Sequence, residues 1–214
     1  MQSVYPALAV LAAYLIGSLS FGVLVSRAFG LPDPRSYGSH NPGATNVLRS
    51  GKKPAAVLTL LLDAAKGALP VWLVDRFGAA WGLGEGTVAL VGLAAFVGHL
   101  WPVFFGFRGG KGVATAAGVL LAMNPWLGLA TLASFAIIVA FFRYVSLGSM
   151  VASVFAVFFS WFLYRNIALT AAVAVMAALL VWRHRENIQR LVKGTESKLG
   201  AKKTTPPDPS AASR

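Results

Sequence analysis

The sequence predicts an all-α polytopic membrane protein of about seven transmembrane helices, and three observations carry that prediction. Of 214 residues, 57% are hydrophobic and only 12% charged, where a soluble domain carries about 25% charged residues. The apolar residues fall in long runs, and a bilayer core about 30 Å thick needs roughly 20 of them in one helix. The formal net charge of +12 lies mostly between and after those runs, the pattern of positive cytoplasmic loops. A soluble protein this basic would suggest nucleic acid, but the chain has no nucleic-acid-binding signature, and no such partner is expected. Cysteine is absent, which excludes disulfides, thiolate nucleophiles and cysteine-based metal sites.

The apolar runs are read in order as residues 4–25, 54–74, 87–105, 112–123, 126–142, 150–163 and 167–182. The N-terminus, MQSVYPALAVLAAYLIG, has no basic leader and no clear small-residue cleavage site, so it reads as a retained span and not a signal peptide. The run 112–123 is short for a full crossing, and Asn124-Pro125 marks a break after it. Five spans is the alternative if the short runs merge or re-enter. Cations set the orientation. Arg27, Arg35, Arg49, Lys52, Lys53, Arg108, Lys111, Arg143 and the basic tail fall on one side, with little beyond Arg76 and Arg165 on the other. The bias puts the motif-bearing loops and the C-terminus in the cytoplasm and the N-terminus outside. Residues 1–199 read as one membrane-embedded domain. Residues 200–214, rich in Pro, Ser and Ala, read as a disordered cytoplasmic tail.

Four cytoplasmic segments differ from ordinary loops. GSLSFGVLVSR places Ser18 and Ser20 among small residues, which suits helix packing as well as function. YGSHNPGATNVLRSGKK, residues 37–53, offers many backbone N–H groups and hydroxyls, and Arg49 can bind phosphate or carboxylate with two hydrogen bonds. FRGGKGVAT, residues 107–115, has glycines that let the backbone approach a ligand, a lysine, and a following helix start with free N–H groups. Its spacing departs from the nucleotide-binding pattern, because Gly106 precedes Lys111 by only five positions and Gly112 follows the lysine. In RHRENIQRLVKGTESKLG, residues 183–200, His184, Asn187, Arg190 and Leu191 share one helical face. An amphipathic helix touching acidic lipids explains that pattern equally well. Asp63 and Lys66, three residues apart within an apolar run, can pair along the helix, and intramembrane charges are functional by default. Neither a His-x4-Asp pair nor a metal-ligand spacing is present, so no metal and no cofactor are expected.

GSHNPGATNVLR, GHLWPVFFGFRGGKGVAT and HRENIQRLVKGTE, in this order between short spans, closely resemble the bacterial membrane glycerol-3-phosphate acyltransferases that use acyl phosphate (the PlsY family). The resemblance runs from the first span to about Leu199, and YVSLGS also fits it. It departs at His40, where a glycine is usual, and in the extended polar tail; His40 is therefore a poor catalytic candidate. The resemblance implies a seven-helix fold in the bacterial inner membrane with its site at the cytoplasmic face. It implies acyl transfer from acyl phosphate to the sn-1 hydroxyl of glycerol 3-phosphate. Lysophosphatidate and phosphate are the products, and a soluble enzyme producing acyl phosphate is a functional partner.

Two phosphorylated substrates, one carrying a fatty chain, account for a cation-rich face on an apolar bundle. An acyl phosphate already has a good leaving group, so positioning and charge stabilisation supply most of the help. The catalytic candidates are Ser39, Arg49, Lys111, His184 and Asn187. The binding candidates are Asn41, Thr45, Asn46, His99, Gly109, Gly110, Gly112, Ser146 and Ser149. The proton of the attacking hydroxyl goes either to a histidine, His184 or His99, or to a substrate phosphate, which the resemblance favours. A small anionic-metabolite transporter is the rival reading, suited by Asp63, Lys66 and the broken spans. A lipid-binding scaffold using the basic tail is a third.

Overall fold

A computed structural model describes residues 4–200. Ten α-helices follow in chain order: α1 Val4–Gly17, α2 Phe21–Ala28, α3 Ala44–Val47, α4 Lys53–Phe77, α5 Glu85–Leu100, α6 Val113–Met123, α7 Pro125–Phe142, α8 Val145–Tyr164, α9 Ile167–Arg183 and α10 Arg185–Val192. The predicted all-helical membrane architecture is present. Four helices (α4, α5, α7 and α8) are long and apolar enough to cross a bilayer, α5 together with the short turn that follows it. The pairs α1–α2 and α9–α10 pass as broken spans, and α6 is a shorter apolar helix. The polar tail expected over 200–214 lies, from residue 201, outside the described residues.

The helices approach closely because small residues meet backbone. A Cβ on Gly17 would strike the backbone of Ala95, and one on Gly98 would strike that of Tyr14 and Ser18, so α1 and α5 touch almost main chain to main chain. Gly67 against Thr115 and Gly118 against Ala64 do the same for α4 and α6. Close small-residue packing of this kind replaces the hydrophobic drive that is lost in lipid. Between these contacts, Val71, Val91, Ala95, Phe96, Leu100 and Val119 form a fully buried core. Large side chains on the outside, among them Trp126, Phe141, Phe158 and Ile167, are exposed, as a lipid-facing surface requires.

Several boundaries differ from the sequence reading. Residues 4–25 are not one continuous helix: α1 and α2 bend by 43°. At the break, Ser18 donates its hydroxyl to the Tyr14 carbonyl at 2.8 Å, and the Leu19 carbonyl accepts the Lys66 ammonium at 2.7 Å. The run predicted from residue 150 begins at Val145, so Ser146 and Ser149 sit in the first turns of α8 and not in a loop. Arg143 in the left-handed region ends α7, and an extended Tyr144 restarts the chain. The break expected at Asn124-Pro125 is present, and the Asn124 side chain caps α7 through Trp126 N–H at 2.8 Å. Asn166 caps α9 in the same way, through Ala168 N–H at 2.9 Å. In the last motif the helix covers only Arg185–Val192. Gly194, with φ of 68°, then turns the chain back.

The motif-bearing segments lie at one end of the bundle. Hydrogen bonds tie the segment after α2 to the one after α5 (Arg35 to Phe105), the segment before α6 to α10 (Lys111 to Asn187), and the end of α7 to Leu199. The other end holds Glu85 bonded to Asn166, and Tyr5 packed on Trp81.

Candidate active site

The glycine-rich segment is set by three neighbours. After α5 ends, the Gly110 N–H returns to the His99 carbonyl at 3.1 Å. Arg183, at the end of α9, donates to the carbonyls of Gly109 at 2.9 Å and Gly110 at 3.1 Å. Gly112 precedes α6 at φ of 84°, a left-handed conformation, and a Cβ there would strike buried Phe96. With the carbonyls of residues 109 and 110 held by Arg183, the Lys111 side chain projects toward α10, where it donates to the Asn187 side-chain oxygen.

Asn187 is oriented from its other side. Its amide nitrogen donates to Glu196 Oε1 at 2.6 Å. The Ser146 hydroxyl donates to the same oxygen at 2.6 Å, and Arg190 pairs with Oε2 at 2.7 Å. Burial opposes ionisation of Glu196, but these three donors together hold its carboxyl below the usual carboxylate range. The result is a connected polar cluster (Lys111, Asn187, Glu196, Ser146, Arg190) built from three stretches far apart in sequence: the segment before α6, the start of α8, and α10 with the turn after it. Glu196 is its hub. Sequence reasoning misses Glu196, because it reaches the site only after the reversal at Gly194. A glycine closing an amphipathic helix two residues upstream is the available signal.

Burial pushes the Lys111 ammonium down to about 8, helped by nearby Arg190 and opposed by Glu196. Lys111 is a cation below that value and loses its charge as pH rises through it. If the ammonium binds a substrate phosphate, kcat/KM for that substrate falls above about pH 8, roughly tenfold per unit. Lys111→Arg, which stays charged, removes this limb. A pH–rate profile of the two proteins checks it, and a limb that persists in Lys111→Arg belongs to another group.

The remaining candidates divide. His184 is buried at the 56° bend between α9 and α10, with its Nδ1 2.8 Å from the Leu180 carbonyl. Ser149 is buried one turn after Ser146 and bonds the Val145 carbonyl at 2.8 Å. His99 lies behind the glycine segment, buried, with its Nδ1 3.6 Å from Asp63. In the first loop, Asn46 is buried and acts as a strut. It accepts from Ser39 N–H at 3.0 Å and donates to the carbonyls of Pro34 at 2.7 Å and Tyr37 at 3.1 Å. Asn41 is half-buried, Thr45 is exposed, and Arg49 is exposed beside Gly38. Among the described residues, no hydrogen bond joins Ser39, Asn41, Thr45 or Arg49 to the Lys111 cluster. The link between the two loops is Arg35 instead, which pairs with Asp33 at 2.7 Å and donates to the Phe105 carbonyl at 3.3 Å. His40 has φ of 54°, a conformation that explains why glycine suits this position.

Directly beneath the cluster, an apolar cavity opens between α6, α7, α8 and α9, with a volume of about 50 Å³. Val113, Ser149 and Leu180 line the end nearest the cluster, and Leu120, Ala156 and Val173 the far end. On α6, α8 and α9 the lining spans eight residues, roughly 10 Å end to end at ~1.5 Å per residue. Ala116, Ala152 and Ala177 leave the space between. A polar, cation-bearing site thus sits end-on to a hydrophobic slot.

A protein-family profile described as Glycerol-3-phosphate acyltransferase matches residues 7–194. The glycerol-3-phosphate acyltransferase of Albidiferax ferrireducens is 60% identical over 212 residues, covering 96% of this chain and 94% of its own. That of Burkholderia thailandensis is 62% identical over 199 residues, covering 92% and 97%. The crystal structure of PlsY (YgiH), an integral membrane glycerol 3-phosphate acyltransferase, is similar in its glycerol 3-phosphate form with a TM-score of 0.85 at 40% identity, covering 92% of this chain and 96% of that one. Its lysophosphatidic acid form gives 0.83 at 39% over the same shares.

Proposed function

The chain belongs to the glycerol-3-phosphate acyltransferase family, and from that premise we propose that its acyl donor is acyl phosphate and that the Lys111 cluster is the reaction site. The protein is a membrane-embedded acyltransferase that acylates glycerol 3-phosphate, a step of phospholipid synthesis. The relatives named above support acyl transfer and give no support to the transporter reading.

One observation carries the site assignment: the cation-bearing cluster lies end-on to the apolar slot, with Ser149 at their junction. A fatty acyl group in the slot presents its carboxyl-derived carbon to Lys111 and the glycine segment. An acyl phosphate has its negative charge at that end, where the ammonium and the N–H groups at the start of α6 meet it. Glycerol 3-phosphate then approaches from the polar side, oriented by Asn187, Ser146 and the loop bearing Ser39 and Arg49. Its sn-1 hydroxyl oxygen bonds to the acyl carbon, and the bond from that carbon to the phosphate oxygen breaks. Phosphate leaves with the electron pair, stabilised by Lys111. The hydroxyl proton passes to a phosphate oxygen of the substrate. This route draws on no protein base, and it leaves His184, with Nδ1 on the Leu180 carbonyl, and His99, buried beside Asp63, outside the proton path. The basic residues of the motif-bearing end support a cytoplasmic site in a bacterial inner membrane, with residues 1–199 forming one domain. A soluble enzyme that makes acyl phosphate is the functional partner, and surrounding lipid receives the product.

The test supplies purified protein in turn with palmitoyl phosphate, an acyl thioester of coenzyme A and an acyl carrier protein, each with labelled glycerol 3-phosphate. Product and stoichiometric phosphate are expected from acyl phosphate alone. Equal rates from a thioester would contradict the donor assignment.

A further inference from the structure

The buried charges of α4 take no part in the chemistry above, yet they lie directly behind the glycine segment. Lys66 Nζ is 2.8 Å from Asp63 Oδ1 and donates to the Leu19 carbonyl at the α1–α2 break. Both side chains are almost fully buried. Ionisable groups at such depth are costly and are retained for a reason that must be found in their partners. The same Asp63 oxygen faces His99, whose Nδ1 lies 3.6 Å from it and meets no hydrogen-bond partner among the described residues. The opposite edge of the same ring packs on Gly110 so tightly that a Cβ there would collide with Nε2. The His99 carbonyl, in turn, holds the Gly110 N–H.

We propose that Asp63, Lys66 and His99 are positioning residues: the charge pair fixes the His99 ring, and the ring sets Gly110 and with it the neighbouring Lys111. None of the three touches substrate. The chain of contact runs from the α1–α2 break through α4 and α5 to the phosphate segment. Gly110 is thereby clamped from below by His99 and from the side by Arg183. A loop held this way has one place for its lysine, and a misplacement of about 1 Å can cost ~100-fold in rate. The inference rests on the reading of residues 109–112 as a phosphate site.

Three variants of the full chain test it by initial rates and thermal melting: His99→Gln, which keeps the charge pair, Asp63→Asn with Lys66→Met, which removes both charges together, and Gly110→Ala as reference. Removing both charges avoids leaving one unpaired, the most damaging change to a buried pair. Each is expected to lower kcat/KM for glycerol 3-phosphate by about 10-fold or more, chiefly through KM. Combining His99→Gln with Gly110→Ala is expected to cost less than the product of the two effects, because neighbours acting through one contact are not additive. A uniform loss of folded protein at unchanged KM would show a structural role alone and overturn the proposal, as would additive costs or a wild-type KM in His99→Gln. If Gly110→Ala itself leaves KM unchanged, the phosphate-site reading falls and the relay with it. A shift in Gly110→Ala without one in the others overturns the relay alone.

Discussion

Lys111→Ala is expected to lower kcat/KM by ~100- to 1000-fold while the protein still inserts and melts like the wild type. Removing one preorganised group that stabilises developing charge costs about that much, and Lys111 lies outside the packed helices, in the segment before α6. Among the described residues its one side-chain hydrogen bond goes to Asn187, so the loss falls on the site and not on the core. Arg49→Ala is expected to do the same by a different route. Arg49 is exposed and bonded to nothing in the Lys111 cluster, so its part begins only when a phosphate bridges the two loops. The two variants therefore separate. Lys111→Ala removes a cation that the folded cluster already positions, and Arg49→Ala removes one recruited by substrate. Steady-state rates with purified protein check both, and wild-type turnover in either would overturn its assignment.

Glu196→Ala is the second change of large effect. It removes the acceptor shared by Ser146, Asn187 and Arg190. Three donors are then left without their partner, and nothing holds the amide of Asn187 with its oxygen toward Lys111. The return of residues 195–199 keeps its bonds from Thr195 to the Arg190 carbonyl and between Leu199 and Arg143, and the Lys198 ammonium over Tyr144. Activity is expected to fall by roughly 100-fold, the scale of misorienting a group at a reacting centre. The carboxylate of Glu196 is ionised well below neutral pH, so Glu196→Gln tests the charge separately. The amide keeps an acceptor for Ser146 or Asn187 but loses the ion pair with Arg190, and an intermediate loss is expected. Equal activity of Glu196→Ala and wild type would show that the hub is incidental.

Most of the architecture is legible in the sequence because it rests on local signals. Long apolar runs mark α4, α5, α7, α8 and α9, and Asn124-Pro125 marks the break before α7. The cation asymmetry identifies which loops belong together. The α1–α2 break is not legible. The interruption at Ser18–Ser20 contains no proline, and what stabilises it is Lys66, more than forty residues away. The start of α8 reads too late in the sequence because Ser146, Gly148 and Ser149 resemble loop residues, although the two serine hydroxyls bond within the helix or to Glu196.

The site is partly legible for the same reason. Lys111, His184 and Asn187 stand in motifs whose composition marks them. Ser146 is identified by its motif and enters the cluster from a helix instead of a loop. Glu196 and Arg183 act through contacts that only the folded chain creates. Glu196 arrives by a reversal at Gly194, and Arg183 by the docking of α9 against the segment after α5. His99 reads as a ligand-binding residue by its place near the glycines, yet its ring is buried against Asp63 and Gly110. A histidine in the last turn of an apolar helix offers no sequence signal for which side it faces.

At the centre of this mechanism, a substrate phosphate replaces Asn187 as the partner of Lys111. An experimental structure of this chain with glycerol 3-phosphate and a non-hydrolysable acyl phosphate tests it most directly. The prediction is a phosphate oxygen about 2.7–3.1 Å from Lys111 Nζ, with the acyl chain between α6, α8 and α9. Both phosphates bound away from residues 109–112, with Lys111 still on Asn187 and the slot empty, would contradict it.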